Sequence, residues 1–205
     1  MEAEVGGGYT EHMRPHRRRR ATYKDLFDLP QHQVGEIVGG SLYASPRPAS
    51  RHARVSSVLG IGIGGPFDQG INGPGGWWIL DEPEIHLGAD VLVPDLAGWR
   101  RERMPEYPDV AFFTLRPDWV CEVLSPSTAK LDRQHKMPVY SREGVEYAWL
   151  IDPSVKLVEV YILKKGAWQV HGVYGDEQVI HAPPFDAIPF DLWPLWGEAK
   201  KPDEE

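Results

Sequence analysis

The sequence of 205 residues has a single cysteine, Cys121. One thiol excludes an intramolecular disulfide and any zinc centre built on several cysteines. No apolar run is long enough to cross a bilayer, so no membrane partner is expected. The N-terminus carries no apolar secretory segment, which makes a cytoplasmic location the default expectation. Internal repeats are missing, and with them the solenoid and propeller architectures. Positive charge is also scarce, with a formal net charge of −8 at pH 7. The tails do not explain it. Residues 1–20 hold five arginines against three glutamates, and residues 197–205 hold four acids against two lysines. The body between them carries the full negative balance, so phosphate binding would need a local basic patch or bound cations.

What remains is an ordinary globular composition, 41% hydrophobic and 25% charged. The length suits one core and one domain. Residues 1–20, with Gly6-Gly7-Gly8 and the run Arg17 to Arg20, read as a disordered basic arm. His12 and His16 in that arm have i,i+4 spacing, but no helical pattern surrounds them to make a metal site. Residues 21–196 read as the domain and 197–205 as a charged tail.

Thr22 with Asp25 predicts a short helix over 23–29, closed by Pro30. Residues 36–43 predict a hairpin, and Ser50 is expected to cap a helix carrying Ala53, Val55, Val58 and Leu59. The following Gly60-Ile61-Gly62-Ile63-Gly64-Gly65 formally matches a dinucleotide fingerprint. A helical pattern precedes it where a strand is required, so a helix fraying into a flexible loop is expected instead. Strands are expected at 77–80, 84–87 and 91–93, a long connection over 99–116, and a helix between Lys130 and Glu143 stopped by Gly144. Three further strands follow, at 147–151, 157–163 and 168–174. The fold class is therefore α/β or α+β, a mixed central sheet flanked by helices with additional C-terminal antiparallel strands.

The run Trp119-Val120-Cys121-Glu122-Val123-Leu124 is apolar at both parities, as in a strand buried on both faces. Glu122 lies in its middle. A buried carboxylate needs a metal, a cation or a proton. Asp95, following Val91-Leu92-Val93-Pro94, is a second carboxylate at a strand end. Two carboxylates on neighbouring strand ends with a lysine nearby suit Mg²⁺ and phosphodiester hydrolysis. Lys136 lies four residues after Asp132, which an ordinary helical ion pair also explains.

Further stretches share one pattern: Thr22-Tyr23-Lys24-Asp25, Glu36-Ile37-Val38-Gly39-Gly40, His52, Val93-Pro94-Asp95, and Cys121-Glu122-Val123-Leu124-Ser125-Pro126-Ser127-Thr128. Asp132-Arg133, Lys136, Tyr140 and Gly144-Val145 continue it, ending in Tyr147-Ala148-Trp149-Leu150-Ile151-Asp152-Pro153. Over residues 22–196 the chain resembles the Uma2 family, assigned to the restriction-endonuclease-like PD-(D/E)XK superfamily. The resemblance implies a restriction-endonuclease-like core and a Mg²⁺-dependent endonuclease acting on DNA, with Mn²⁺ as a substitute and a homodimer as the working form. It implies Asp95 and Glu122 as metal ligands. Leu124 occupies the superfamily's usual lysine position, so Lys136, from the next helix, would be the migrated catalytic lysine. Glu36 matches an early glutamate that joins such sites, while Gly39-Gly40-Ser41 replaces the polar residues usually found after it. His52, Asp132, Gln134 and Tyr140 are additional candidates, with Arg133 as a supporting one. Trp149, Tyr161 and Trp168 are candidates for a dimer face or for the core. Two alternatives use the same fold: an inactive module binding nucleic acid or protein, and a phosphohydrolase on a smaller substrate.

Overall fold

A computed structural model describes residues 19–175 and 178–198. The expected basic arm lies outside these except for Arg19 and Arg20, and the charged tail except for Gly197 and Glu198. Helix α1 (Tyr23–Leu26) is short and starts as expected. The N–H and hydroxyl of Thr22 both donate to Asp25, at 2.7 and 2.9 Å. Strands β1 (Gln33–Val38) and β2 (Ser41–Pro46) form an antiparallel hairpin. Gly39 and Gly40 close it with φ of 61° and 79°. Two successive left-handed residues match the twist of paired strands, and glycine adopts them without strain.

Helix α2 (Ser50–Ile63) runs on into a π turn, Gly64–Asp68. The glycine-rich stretch is therefore helical, not a frayed loop. Packing explains this. A Cβ on Gly62 would stand 2.4 Å from the Phe190 ring, so the missing side chain lets the helix seat against that aromatic. The helix is also not capped by Ser50. Its N-cap is Ala49, and no side chain caps it.

The strands β3 (Trp77–Asp81), β4 (Ile85–Leu87), β5 (Asp90–Leu92), β6 (Leu96–Arg100) and β7 (Trp119–Val123) follow. Strand β6 shortens the long connection expected from residue 99, and it places Asp95 at a strand start instead of the end of β5. Its Leu-Ala-Gly-Trp-Arg sequence is short and interrupted by glycine, which hides a strand that is buried at four of five positions. Next come α3 (Ala129–Leu131), a π turn (Asp132–Lys136), α4 (Met137–Glu143), and strands β8 (Tyr147–Asp152), β9 (Leu157–Lys164) and β10 (Ala167–Gly175). Gly144 stops α4 at φ 79°, as expected. Strands β11 (Val179–Ile180) and β12 (Phe190–Asp191) and a 3₁₀ turn (Trp193–Trp196) complete the described chain.

The larger sheet has the order β10-β9-β8-β7-β6-β3, and the smaller one β2-β1-β5-β4. Only β7 and β8 pair in parallel within the larger sheet, with α3 and α4 in the connection between them. Alternation along β7 divides two cores. Trp119, Cys121 and Val123 join Val55, Leu59 and Ile63 of α2 and Phe185. Val120 and Leu124 join Leu131, Met137, Val139 and Tyr140 from the crossover. Glu122 has the second parity. Trp149 is 1% exposed in the first core, and Tyr161 and Trp168 pack against the second. Trp149 is thus a core residue, while Tyr161 and Trp168 are only half-buried.

Candidate active site

Glu122 is 2% exposed, held in β7 with buried neighbours on every side. Its carboxylate is nonetheless fully engaged. The Tyr140 hydroxyl donates to Oε1 at 2.6 Å, and Lys136 Nζ lies 2.8 Å from Oε1 and 2.9 Å from Oε2. Burial drives the Glu122 carboxyl's pKa upward, and the Lys136 ammonium opposes that.

Lys136 reaches inward because the helix changes winding beneath it. In the π turn the Met137 N–H bonds back to the Asp132 carbonyl, five residues earlier. Relative to α-winding, the turn accommodates one extra residue and rotates the helix beyond it. Pro138 has no N–H to donate, so regular α bonding was already interrupted here. The result buries Asp132 and Lys136 while Arg133, Gln134 and His135 stay outside. Lys136 Nζ also lies 2.9 Å from Glu36 Oε1 and 3.7 Å from Asp132 Oδ1, and donates to the Val93 carbonyl at 3.2 Å. Burial lowers the ammonium's pKa, but Glu122 and Glu36, with Tyr140 and Asp132, outweigh it and leave it well above the usual lysine value.

Glu36 sits in β1, 5% exposed, and its Oε1 accepts the Val93 N–H at 2.8 Å. This glutamate thereby ties the small sheet to the segment leading into Asp95. Asp95 precedes β6 by one residue, and the pairing of Leu96 with Cys121 sets it level with Glu122 on the adjacent strand. Its Oδ2 accepts the Val123 N–H at 2.6 Å, and its Oδ1 faces His52 Nε2 at 3.1 Å. Burial pulls the His52 pKa down, yet Asp95 reverses this and raises it overall. Asp132 is 3% exposed, and its pKa is pushed up to about 6, by burial first and then Asp95 against the pull of Lys136.

Glu36, His52, Asp95, Glu122, Asp132 and Lys136 thus line one hollow of about 280 Å³. Tyr140 stands behind Glu122, fully buried. Gln134 is a different case. It is exposed on the outer side of the π turn and takes no place in the hollow. Arg133 turns outward to pair with Glu159. Sequence reasoning assigned no role to Arg47, Glu82 or the hydroxyls of Ser125 and Thr128, all of which line the hollow. The Ser-Pro-Ser-Thr motif was a signal for the last two. Nothing in the sequence distinguished Glu82.

Among the described residues, no group of three or more His, Cys, Asp and Glu side chains is gathered to hold a metal ion unaided. The donor chemistry fits Mg²⁺, which uses one or two carboxylates and completes its shell with water and substrate phosphate. Asp95 and Glu122 are the two such donors at adjacent strand positions. Surplus negative charge points the same way. The pKa values of Asp81 and Glu82 are raised by burial first and then by neighbouring carboxylates including Asp95.

Comparison with known proteins agrees with this architecture. A family model described as Uma2, "Putative restriction endonuclease", matches residues 21–192. No curated protein matches the chain. Among solved structures, it is similar to one described as a "putative nuclease belonging to DUF820 from Anabaena variabilis ATCC 29413". The TM-score is 0.69 at 21% identity, covering 86% of this chain and 98% of that one. At this identity the likeness concerns the fold.

Proposed function

Because the chain belongs to the Uma2 family, we propose that it is a nuclease hydrolysing DNA phosphodiester bonds in the Asp95/Glu122/Lys136 hollow, with Mg²⁺ as cofactor. The observation that carries this reading is Lys136. It comes from the helix after β7, yet lies against Glu122 and Glu36 in the hollow that Asp95 also lines. Leu124, two residues beyond Glu122, leaves no cation there. Lys136 supplies one.

Asp95 and Glu122 would hold the cation. When bound, it would lower the pKa of a water and neutralise charge growing on the phosphate. The chain's own groups prepare for this. Val123 N–H and His52 fix the two oxygens of Asp95, and Tyr140 fixes Oε1 of Glu122. Preset ligands cost little reorganisation during reaction. Lys136 keeps its proton, so it acts as a hydrogen-bond donor to a phosphoryl oxygen rather than as the base. Water attacks phosphorus in line with the departing 3′ oxygen and gives up a proton to solvent, the P–O3′ bond breaks, the 3′ oxygen takes up a proton from solvent, and a 5′-phosphate remains.

The test is cleavage of plasmid and single-stranded DNA with Mg²⁺ or Mn²⁺ by wild type, Asp95→Asn and Glu122→Gln. Each variant is expected to lose at least about 100-fold in rate, on the scale typical of removing a positioned catalytic group. Wild type and variants leaving DNA equally intact would sink the reading. Equal nicking by all three would mean a contaminating enzyme and equally remove the support.

A further inference from the structure

Three of the four outer edges of the two main sheets are covered or end in proline. At β3, Asp68 accepts the Ile79 N–H at 3.1 Å, and Arg101 donates to the Trp77 carbonyl at 3.0 Å. At β4, the His86 N–H donates to the Phe113 carbonyl and the Phe113 N–H to the Glu84 carbonyl, at 2.8 and 2.9 Å. Strand β2 has six residues and ends in Pro46, which has no N–H to offer. Strand β10 is different. It is the longest described strand, with nine residues, and it ends the larger sheet with β9 as its one neighbour. Among the described residues, none bonds to the backbone on the other side of residues 168–174.

An open edge of this kind is ordinarily guarded by charged side chains or proline. The sequence Ala-Trp-Gln-Val-His-Gly-Val-Tyr-Gly contains neither. It presents Val170 and Val173 instead, 60% and 55% exposed. The one guard present is a bulge at His171. Through it Val170 opposes Tyr161 and Val173 opposes Glu159. Tyr161 and Glu159 share a face of β9, so the two valines share a face of β10, which a spacing of three would not give in a regular strand. Charge completes the pattern. Lys164 and Lys165, both exposed, lead into the strand, and Asp176 and Glu177 follow it in sequence.

We propose that β10 is the interaction edge for a second copy of this chain, paired antiparallel across a two-fold axis so that two six-stranded sheets become one. Antiparallel pairing brings the lysine end of each strand to the acidic end of the other, whereas parallel pairing would set like charges together. One surface then serves both copies, as a two-fold axis requires. Val170 and Val173 straddle the middle of the strand, so each lies close to the other valine of the second copy. The free N–H and C=O groups of the edge gain partners in the same step. Over the rest of their surfaces two copies repel, because each carries a net charge of −8. The uncharged strand with opposite charges at its two ends is where approach costs least. The proposal is independent of the chemistry in the hollow, since β7 lies three strands inward from β10.

Sedimentation equilibrium of the full chain over a wide range of concentration tests this. Wild type is expected to show a monomer–dimer equilibrium that shifts towards monomer as salt screens the strand ends. Amide hydrogen exchange in residues 168–174 is expected to slow as concentration rises. Val170→Lys places two like charges beside the axis, on a side chain already exposed in the single chain. It is expected to weaken dimerisation by about tenfold or more while leaving the circular dichroism spectrum unchanged. Lys164→Glu with Lys165→Glu is expected to weaken it as well, and adding Asp176→Lys and Glu177→Lys is expected to restore it. A wild type that stays monomeric at every concentration overturns the proposal. So does a dimer that survives Val170→Lys with exchange in β10 independent of concentration, which would put the interface on another face. Failure of the charge reversal to restore association would overturn the antiparallel arrangement.

Discussion

A lysine buried among carboxylates is costly in isolation and stable only as a set. Lys136 neutralises part of the charge of Glu36 and Glu122, and Asp132 is left with the weakest share, 3.7 Å away. Its pKa of about 6 stands above its ordinary 3.8. Between those values the folded chain holds a proton that the unfolded chain has released, so stability falls as pH rises from about 4 to about 6. Above that range the penalty is fully present. Asp132→Asn, which keeps an acceptor for Thr128, is therefore expected to add on the order of 2 kcal/mol at pH 8 and almost nothing at pH 4. Urea unfolding at the two pH values checks it, and an equal gain at both would contradict the assignment. At this scale Glu122 was readable from sequence, because a charge inside an apolar strand demands partners. The reach of Lys136 was not. Asp132 and Lys136 have the spacing of a surface ion pair, and only the extra residue of the π turn buries both. Pro138 was the one local sign that the winding would change. Gln134 failed as a candidate for the same reason, since its rotation about the helix depends on that turn.

Helix α2 shows how an element can read wrongly while its contacts are simple. Glycines lower helix propensity, so the stretch after Leu59 looked like a loop. Burial of Ile63 and close seating against Phe190 override that propensity. The two central glycines should then respond in opposite ways. At Gly60 a Cβ would meet only Leu96, at 3.5 Å, so Gly60→Ala is expected to stabilise by about 0.5–1 kcal/mol through helix propensity. At Gly62 the Phe190 ring stands 2.4 Å from the added atom, and Gly62→Ala is expected to cost about 1–3 kcal/mol. Thermal or urea unfolding of the pair decides it. A loss at Gly60 would mean that the helix is less regular than described. Strand β6 escaped notice for a related reason. Its five residues show no alternation, because both faces of the sheet are covered there.

Across the whole molecule, the strand pattern after residue 147 was legible because turns at Asp152-Pro153 and Lys165-Gly166 punctuate it. The division into two sheets was not, since pairing between β1 and β5 joins segments far apart in sequence. The acidity of the body has a folded counterpart in the hollow, where carboxylates outnumber the cations that face them. A divalent cation that binds there should stabilise the native chain by RT ln(1 + [L]/Kd), about 1.4 kcal/mol at ten times Kd. Mg²⁺ or Mn²⁺ is thus expected to raise the Tm of wild type, with the shift lost in Asp95→Asn. A shift of equal size in that variant would locate the binding elsewhere.

The bond from Val123 N–H to Asp95 gives that carboxylate a second duty. Strand β6 begins only at Leu96, so beyond it no backbone carbonyl of β6 is assigned to the end of β7. Asp95 fills the vacancy with a side-chain oxygen. The residue best suited to grip a cation is thus also a rung at the end of a β ladder. Truncating it to alanine would loosen the sheet and empty the ligand position in one stroke, and the two losses would look alike in an activity assay. Asparagine separates them. It leaves an oxygen for the rung while removing the negative charge.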